Sequence, residues 1–360
     1  MERLRAWMDS ERVGAAYLTN PVSIAYLTGF ATEPHERLLG LVLSRADAVL
    51  VVPSLEEESA TAAAGGLPVR AWRDGEDPWL AVAAALGGPP GRLAVETSHL
   101  TLAAWERLRA LAGDPEVVDA GSEVRRLRAR KSPGEIASLE RAARLTDEVA
   151  TRISAELAPG RTELEVAAAI DHHIAGAGGR LSFETIVQSG PNSAQPHLRP
   201  TGRRLAEGDL VLMDFGAAAG GYRADTTRTV VVGVAGARQA KLHALVLAAH
   251  DAAVAAVRPG ATAAEVDEAA RAVIRAGGLA DRFIHRVGHG LGLEAHEDPS
   301  LDPGGSAVLE EGMVITIEPG AYVPGWGGVR IEDDVVVEAS GGRLLTHADR
   351  SLTPSGAGVH

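Results

Sequence analysis

The first third of the chain alternates short runs of aliphatic and β-branched residues with longer Ala/Leu-rich runs. LLGLVLS (38–44) and AVLVVP (48–53) predict adjacent strands joined by a short turn. PVRAW (68–72), RLAVE (92–96) and EVVDA (116–120) predict further strands. Between them, DPWLAVAAAL and TLAAWERLRALA repeat apolar residues at helical spacing. Such alternation implies an α/β domain with a mixed sheet, and no catalytic cluster stands out in it.

The basic, polar stretch GSEVRRLRARK (121–131) marks a change of pattern. It predicts an N-terminal α/β domain over residues 1–122 and a second domain over 123–360. The second domain opens with a helix whose start is legible. Ser132 can cap it, Pro133 suits the first helical position, and Glu135 completes a capping box. A second helix begins near Thr162 after the Pro159-Gly160 break and runs to the glycines at 176–179. Two more helices are expected over 238–257 and 263–276, separated by Pro259-Gly260. Strand-like runs occupy 209–215, 222–232, 313–317 and 329–337. The second domain therefore reads as α+β, with helix pairs on an antiparallel sheet. Two helices followed by strands occur twice, a hint of internal pseudo-symmetry.

Composition narrows the chemistry. A net charge of −13 argues against a nucleic-acid surface, which needs clustered Lys and Arg. With no cysteine, disulfides, zinc-thiolate sites, iron–sulfur clusters and thiol nucleophiles are excluded. The N-terminal MERLRAWMDSERVGAAY has no uninterrupted apolar core, and no apolar run approaches the roughly 18 residues of a membrane span. A cytoplasmic location is the expectation.

Against that background a set of acids stands out. Asp214 interrupts the apolar run VLMDFG (211–216), where an unpaired carboxylate would be costly, though alone it also reads as an Asp ending a strand at a turn. Asp225 follows in GYRADTTRTVVVG, and a hairpin through Gly220-Gly221 would set the two acids on neighbouring strands. Two carboxylates in contact need a proton or a cation between them. His285, His289 and His296 lie in HRVGHGLGLEAHEDP (285–299), whose glycines imply a turning loop that approaches something closely. Glu318 ends the strand-like MVITIEPG, and Glu332 interrupts VRIEDDVVV with Arg330 two residues before it. Four carboxylates and an imidazole carry a charge of about −4, which matches two divalent cations. Oxygen-rich ligation without sulfur suits Mn²⁺, Co²⁺ or Zn²⁺. Two such ions about 3.5–4 Å apart can activate water and polarise a carbonyl.

Taken in order, MDFG, ADTTRT, HRVGHGLGLEAHEDP, ITIEPG and VRIEDD resemble the pita-bread metallopeptidases, and SGPNSAQPH (189–197) fits the same pattern. The N-terminal α/β domain and LRARKSPGEI resemble the branch holding aminopeptidase P, prolidase and creatinase. The resemblance implies a creatinase/prolidase-like N-terminal domain followed by an α+β pita-bread catalytic domain. It implies that Asp214 binds one metal, His289 and Glu318 the other, while Asp225 and Glu332 bridge both. Glu318 would also be the general base, His296 would stabilise the oxyanion and His197 would hydrogen-bond the scissile peptide or leaving group. His285 would help line the proline-side pocket, and Arg330 would orient the bridging carboxylates. Manganese is the first choice of metal by resemblance, with cobalt and zinc open.

The expected reaction is hydrolysis of the Xaa-Pro bond in a small peptide with proline second, by a homodimer with neither nucleic-acid nor membrane partners. Xaa-Pro dipeptidase (prolidase) and Xaa-Pro aminopeptidase (aminopeptidase P) share all these residues and differ in the peptide length admitted. Glu33, His35, Glu36 and Arg37 lie in TGFATEPHERLL (28–39). In this architecture a partner's N-terminal domain often closes the cleft, so Arg37 is a candidate to approach a substrate carboxylate, beside its reading as a solvated loop residue. A non-catalytic binding protein and a metal-free amidinohydrolase of the creatinase type would be expected to have lost metal ligands, and no ligand position departs from the pattern here.

Overall fold

A computed structural model of the chain describes residues 1–353 and divides into two compact units, Met1–Arg128 and Ala129 onward. The basic stretch at the division is a helix, Gly121–Ala129. Val124 and Leu127, three residues apart, are buried on one side of it, and Arg126 grips Glu123 with two hydrogen bonds of 2.7 Å.

The first unit is built on a six-stranded mixed sheet. Its spatial order is Val69–Trp72, Ala48–Pro53, Gly40–Ser44, Ala15–Leu18, Arg92–Val95 and Glu116–Asp119. Ala15–Leu18 runs antiparallel to Gly40–Ser44 and parallel to Arg92–Val95. Alternate side chains serve opposite faces, as the period of a strand demands. Ala16, Leu18, Leu41, Leu43 and Leu50 pack with Leu4, Met8 and Ile24 of flanking helices. Ala15, Tyr17, Val42, Val51 and Val95 pack with Val82 and Leu108 of helices on the other side. The strand Ala15–Leu18 was absent from the sequence expectation because AAYL is short and lacks a polar alternation.

The second unit repeats one motif. Helices Pro133–Glu156 and Glu163–Gly176 precede one group of strands, and helices Ala237–Ala256 and Ala263–Ala276 precede another. The repeat holds in detail at a spacing of 100 residues. Thr162 and Glu165 form a capping box, and so do Thr262 and Glu265. The amides of Gly160 and Gly260, also 100 residues apart, donate to the carbonyls of Leu205 and Leu309, so the equivalent acceptor lies four residues further on in the second copy.

Ile186–Ser189, Leu210–Phe215 and Thr226–Val231 form one antiparallel sheet. Glu297–Ser300, His289–Gly290, Val314–Ile317, Asp333–Glu338 and Gly341–Leu344 form a second. Val211, Met213 and Phe215 face the first helix pair, which puts Asp214 on the opposite face. Ile315 and Ile317 face the second helix pair, so Thr316 and Glu318 point the other way. Thus the acids lie on the side of each sheet away from its helices.

Two runs expected as single strands are interrupted at the acids they carry. The run 222–232 divides into Tyr222–Arg223 and Thr226–Val231, and 329–337 divides between Gly327–Arg330 and Asp333–Glu338. At the first break the amide of Asp225 leaves the ladder and donates to Asp334 Oδ2 at 3.1 Å. At the second, Glu332 pairs instead with Thr227, its amide 3.1 Å from the Thr227 carbonyl. No helix among the described residues is long and apolar enough to cross a membrane.

Candidate metal centre

Asp214 stands opposite Thr227 in the antiparallel register, and Asp225 lies two residues before Thr227 on the same face. The two acids therefore meet diagonally across the pair. Gly216 makes this approach possible, since a Cβ there would sit 1.8 Å from the Ala224 carbonyl oxygen. The remaining acids arrive from the second sheet. Thr227 Oγ1 donates to Glu332 Oε2 at 2.6 Å, fixing that carboxylate beside the Asp pair. Glu318 follows Val314–Ile317 directly, its amide donating to Val287 at 2.7 Å.

His289 sits in a strand of only two residues, His289–Gly290. A Cβ on Gly288 would lie 1.9 Å from the Thr316 carbonyl oxygen, so only glycine allows this contact. His289 Nδ1 is 3.0 Å from the Gly290 carbonyl, which can only accept, so Nδ1 carries the proton. Its Nε2 then presents a lone pair toward Glu318 Oε1 at 3.3 Å and Asp225 Oδ2 at 3.9 Å. Acceptor thus faces acceptor, an arrangement that calls for a cation between them. Asp225, His289 and Glu332 each offer a ligand atom within 4.8 Å of the others'.

The electrostatics agree. Burial, reinforced by the charges of Glu332 and Asp214, raises the Asp225 carboxyl well above its usual range. Burial and the charges of Glu318 and Asp214 do the same to Glu332, and Glu318 is pushed up to about 7 by burial and Asp214. Burial lowers His289 to about 3, helped by His296, so its imidazole is neutral and able to ligate. Oδ1 of Asp214 and Oδ1 of Asp225 are buried and find no hydrogen-bond partner among the described residues. Mutually repelling carboxylates, orphaned acceptors and an aimed lone pair fit divalent cations.

Every site residue expected from the sequence lines one cavity of about 420 Å³: Asp214, Asp225, His289, Glu318, Glu332, His197, His285, His296 and Arg330. Arg330 bonds to Asp214 through Nη2, to Thr227 Oγ1 through Nε at 3.0 Å and to Tyr322 Oη through Nη1 at 3.0 Å. The Tyr322 hydroxyl is 3.0 Å from His285 Nε2, and His285 Nδ1 donates to the Arg286 carbonyl at 2.7 Å. His285 is held neutral, lowered to about 3 by burial and by the Arg330 charge. The His296 ring stands edge-on to His289 with centroids 4.2 Å apart.

His197 reaches the cavity on the loop 190–201, which wraps around the carboxylate of Glu163. That carboxylate accepts from the amides of Ser189 (2.7 Å) and Thr201 (2.9 Å), from both their hydroxyls, and from Asn192. Phe183, Ile186, Pro196, Ala295 and Arg286 complete the lining. Sequence reasoning left these out, together with Tyr322 and Glu163. Arg286 and Ile186 sit in or beside quoted motifs, but their role depends on which way the side chain turns.

Residues 137–339 match metallopeptidase family M24, and residues 1–130 match the creatinase/prolidase N-terminal domain. The chain belongs to metallopeptidase family M24. It is 38% identical over 360 residues to an Xaa-Pro dipeptidase of Lactobacillus helveticus, covering 98% of each chain. The structure of an Xaa-Pro dipeptidase from Bacillus anthracis superposes with a TM-score of 0.91 at 33% identity, covering 98% of both chains. That of an X-Pro aminopeptidase from Thermotoga maritima gives 0.89 at 30% identity, covering 97% of this chain and 98% of the other. An M24 metallopeptidase with this N-terminal domain is an enzyme, and the pita-bread fold expected from the motifs is the fold it has.

Proposed function

We propose that this M24 enzyme is an Xaa-Pro dipeptidase acting in the cytoplasm as a homodimer with two divalent metal ions, manganese by preference. The observation that carries the metal requirement is the His289 Nε2 lone pair facing the carboxylates of Glu318 and Asp225. Asp214 would hold one ion, His289 and Glu318 the other, and Asp225 and Glu332 both. When bound, the ions would supply Lewis-acid polarisation of the peptide carbonyl and lower the pKa of the attacking water. The likeness to named Xaa-Pro dipeptidases over nearly the full chain supports the substrate.

The chain's own residues perform the rest. Glu318 takes the proton of the attacking water and passes it toward the departing proline nitrogen. His296, at the cavity wall, donates to the oxygen that gains charge. His197 hydrogen-bonds the peptide on the leaving side, and His285 stays neutral against it, held by Tyr322 and the Arg286 carbonyl. Arg330 spans Asp214, Thr227 and Tyr322, so it keeps the acids of the first sheet aligned with those of the second.

Aminopeptidase P activity is the second reading, favoured by the likeness to the Thermotoga maritima X-Pro aminopeptidase. Hydrolysis of Ala-Pro, Ala-Pro-Ala and Gly-Pro-Pro by chelated and by Mn²⁺-, Co²⁺- or Zn²⁺-reconstituted enzyme separates the two. A dipeptidase cleaves Ala-Pro at least about tenfold faster than either tripeptide, a difference of 1.4 kcal/mol in barrier. Equal rates would assign the aminopeptidase activity, and chelator-insensitive cleavage would refute the metal mechanism. Light scattering across the micromolar range tests the dimer.

A further inference from the structure

The chain carries 35 basic side chains, and only two of them are lysines, Lys131 and Lys241. Lys241 is exposed on the helix Ala237–Ala256. Lys131 is buried, its side chain 1% exposed, and its ammonium donates to Glu297 Oε2 at 3.2 Å and to the Ala129 carbonyl at 3.3 Å. The Glu297 side chain is buried with it. In a chain that otherwise uses arginine, a buried lysine marks a slot for a compact point charge rather than a planar fork. A buried ion pair adds little net stability, because desolvating both groups offsets their attraction. What it can fix is geometry.

The geometry concerned lies at the metal centre. Glu297 directly follows His296, which lines the cavity and stands edge-on to His289. The His296 imidazole makes no hydrogen bond among the described residues. Its aim therefore depends on the backbone that carries it. That backbone, 291–297, folds around the Glu297 carboxylate. Oε1 accepts the Glu294 amide at 3.1 Å, and a Cβ on Gly292 would come within 2.8 Å of Oε2. The Gly292 amide donates to the Glu294 carbonyl at 3.0 Å, closing the turn. From the other side Arg223 grips the same turn, its amide donating to the Gly292 carbonyl at 2.8 Å and its Nε to that of Leu293 at 2.9 Å. Glu297 is thus the post about which the His296 loop is wound, and Lys131 fixes the post.

Lys131 is itself anchored beside the strand of another site residue. Its amide donates to the Gly312 carbonyl at 2.8 Å, and Arg130 bridges to Met313, the residue before the strand Val314–Ile317 that leads to Glu318. The segment bearing His296 is thereby tied to the strand bearing Glu318 by a residue 166 positions away from Glu297.

We propose that the Lys131–Glu297 ion pair positions His296, holding its loop so that the imidazole meets the oxygen that gains charge. The proposal rests on the reading of His296 as the donor to that oxygen. Lys131 and Glu297 are positioning residues, and neither lines the cavity.

The test is a double-mutant cycle on Mn²⁺-loaded, full-length protein. Wild type, K131M, H296A and K131M/H296A are assayed on whichever of Ala-Pro and Ala-Pro-Ala the wild type cleaves faster. H296A should lower kcat roughly 100-fold or more, as loss of an oxyanion donor does. K131M should lower kcat roughly 10- to 100-fold with KM within about threefold of wild type, since a misaimed donor acts on the transition state. In the H296A background K131M should cost less than about threefold more, because no donor is left to aim. Calorimetric Mn²⁺ affinity should stay within about threefold across the set, short of the roughly 10- to 100-fold that a partner of a metal ligand costs. Where K131M fails to fold, K131M/E297Q, which removes both charges together, carries the same cycle and should show the same losses. Additive losses of K131M and H296A, a wild-type kcat in K131M/E297Q, or a fall in Mn²⁺ affinity matching the fall in kcat would overturn the positioning role alone. An H296A as fast as wild type would overturn the reading of His296 and the positioning role with it. Absence of wild-type turnover on both peptides would overturn the Xaa-Pro reading on which both rest.

Discussion

Glu163→Gln is the substitution whose consequence can be worked most directly from the structure. Glu163 is fully buried at the start of the helix Glu163–Gly176, and its two oxygens receive only donors. Oε1 accepts from the Ser189 amide and hydroxyl and from Asn192, and Oε2 from the Thr201 amide and hydroxyl and again from Asn192. Glutamine must place its NH₂ at one of these positions. Whichever way it turns, a backbone N–H that cannot rotate meets another donor. One stranded buried donor costs about 1–3 kcal/mol, and the surviving bonds lose their charge assistance. A total near 3 kcal/mol corresponds to a fall in melting temperature of roughly 6–12 °C for a unit of this size. Calorimetry of the wild type and E163Q at pH 7.5 with chelator present measures it. The same change should loosen the loop 190–201 that carries His197, raising KM for Ala-Pro more than it lowers kcat. A melting temperature within about 2 °C of wild type would refute the reasoning, because the hydrogen-bond inventory would then not describe the native state.

Two further outcomes follow from the site. Asp225→Asn removes one of several mutually repelling buried acids, so it should weaken Mn²⁺ binding more than ~100-fold by calorimetry yet raise the melting temperature of the chelated protein at pH 8; a lower melting temperature there would contradict the repulsion. His285, lowered to about 3 by burial and by Arg330, should show no titration between pH 5 and 8 in ¹⁵N-histidine NMR. Its unfolded-state pKa is near 6.5, so the unfolded chain binds the extra proton below that value and stability falls as pH drops. At pH 5 this amounts to about 2 kcal/mol, and His285→Gln should lose correspondingly less stability between pH 7 and 5.

The local features of this protein were readable along the chain. The capping box of Ser132 and Glu135 is set within four residues and forms as expected, and the helix expected to begin near Thr162 starts there. The α/β character of the first unit follows from aliphatic runs whose alternate residues serve the two sheet faces. The acids were legible because a carboxylate inside an apolar run demands a partner, and several such demands in one unit point to a shared one.

What tertiary structure decided is the set of contacts between residues far apart in sequence. Thr227 holds Glu332 across 105 positions, and Arg330 reaches Asp214 across 116. Neither pairing leaves a local signature. The strand breaks at Asp225 and Glu332 have the same cause, since their amides bond to Asp334 and Thr227 from elsewhere in the fold. Glu163 in the sequence is an ordinary first-turn acid, and only the folded loop 190–201 makes it a buried anchor. Residue types thus announced which chemistry was present from the pattern alone. That Arg330 is spent on Asp214, Thr227 and Tyr322 depended on where its guanidinium finds its acceptors once the two sheets meet.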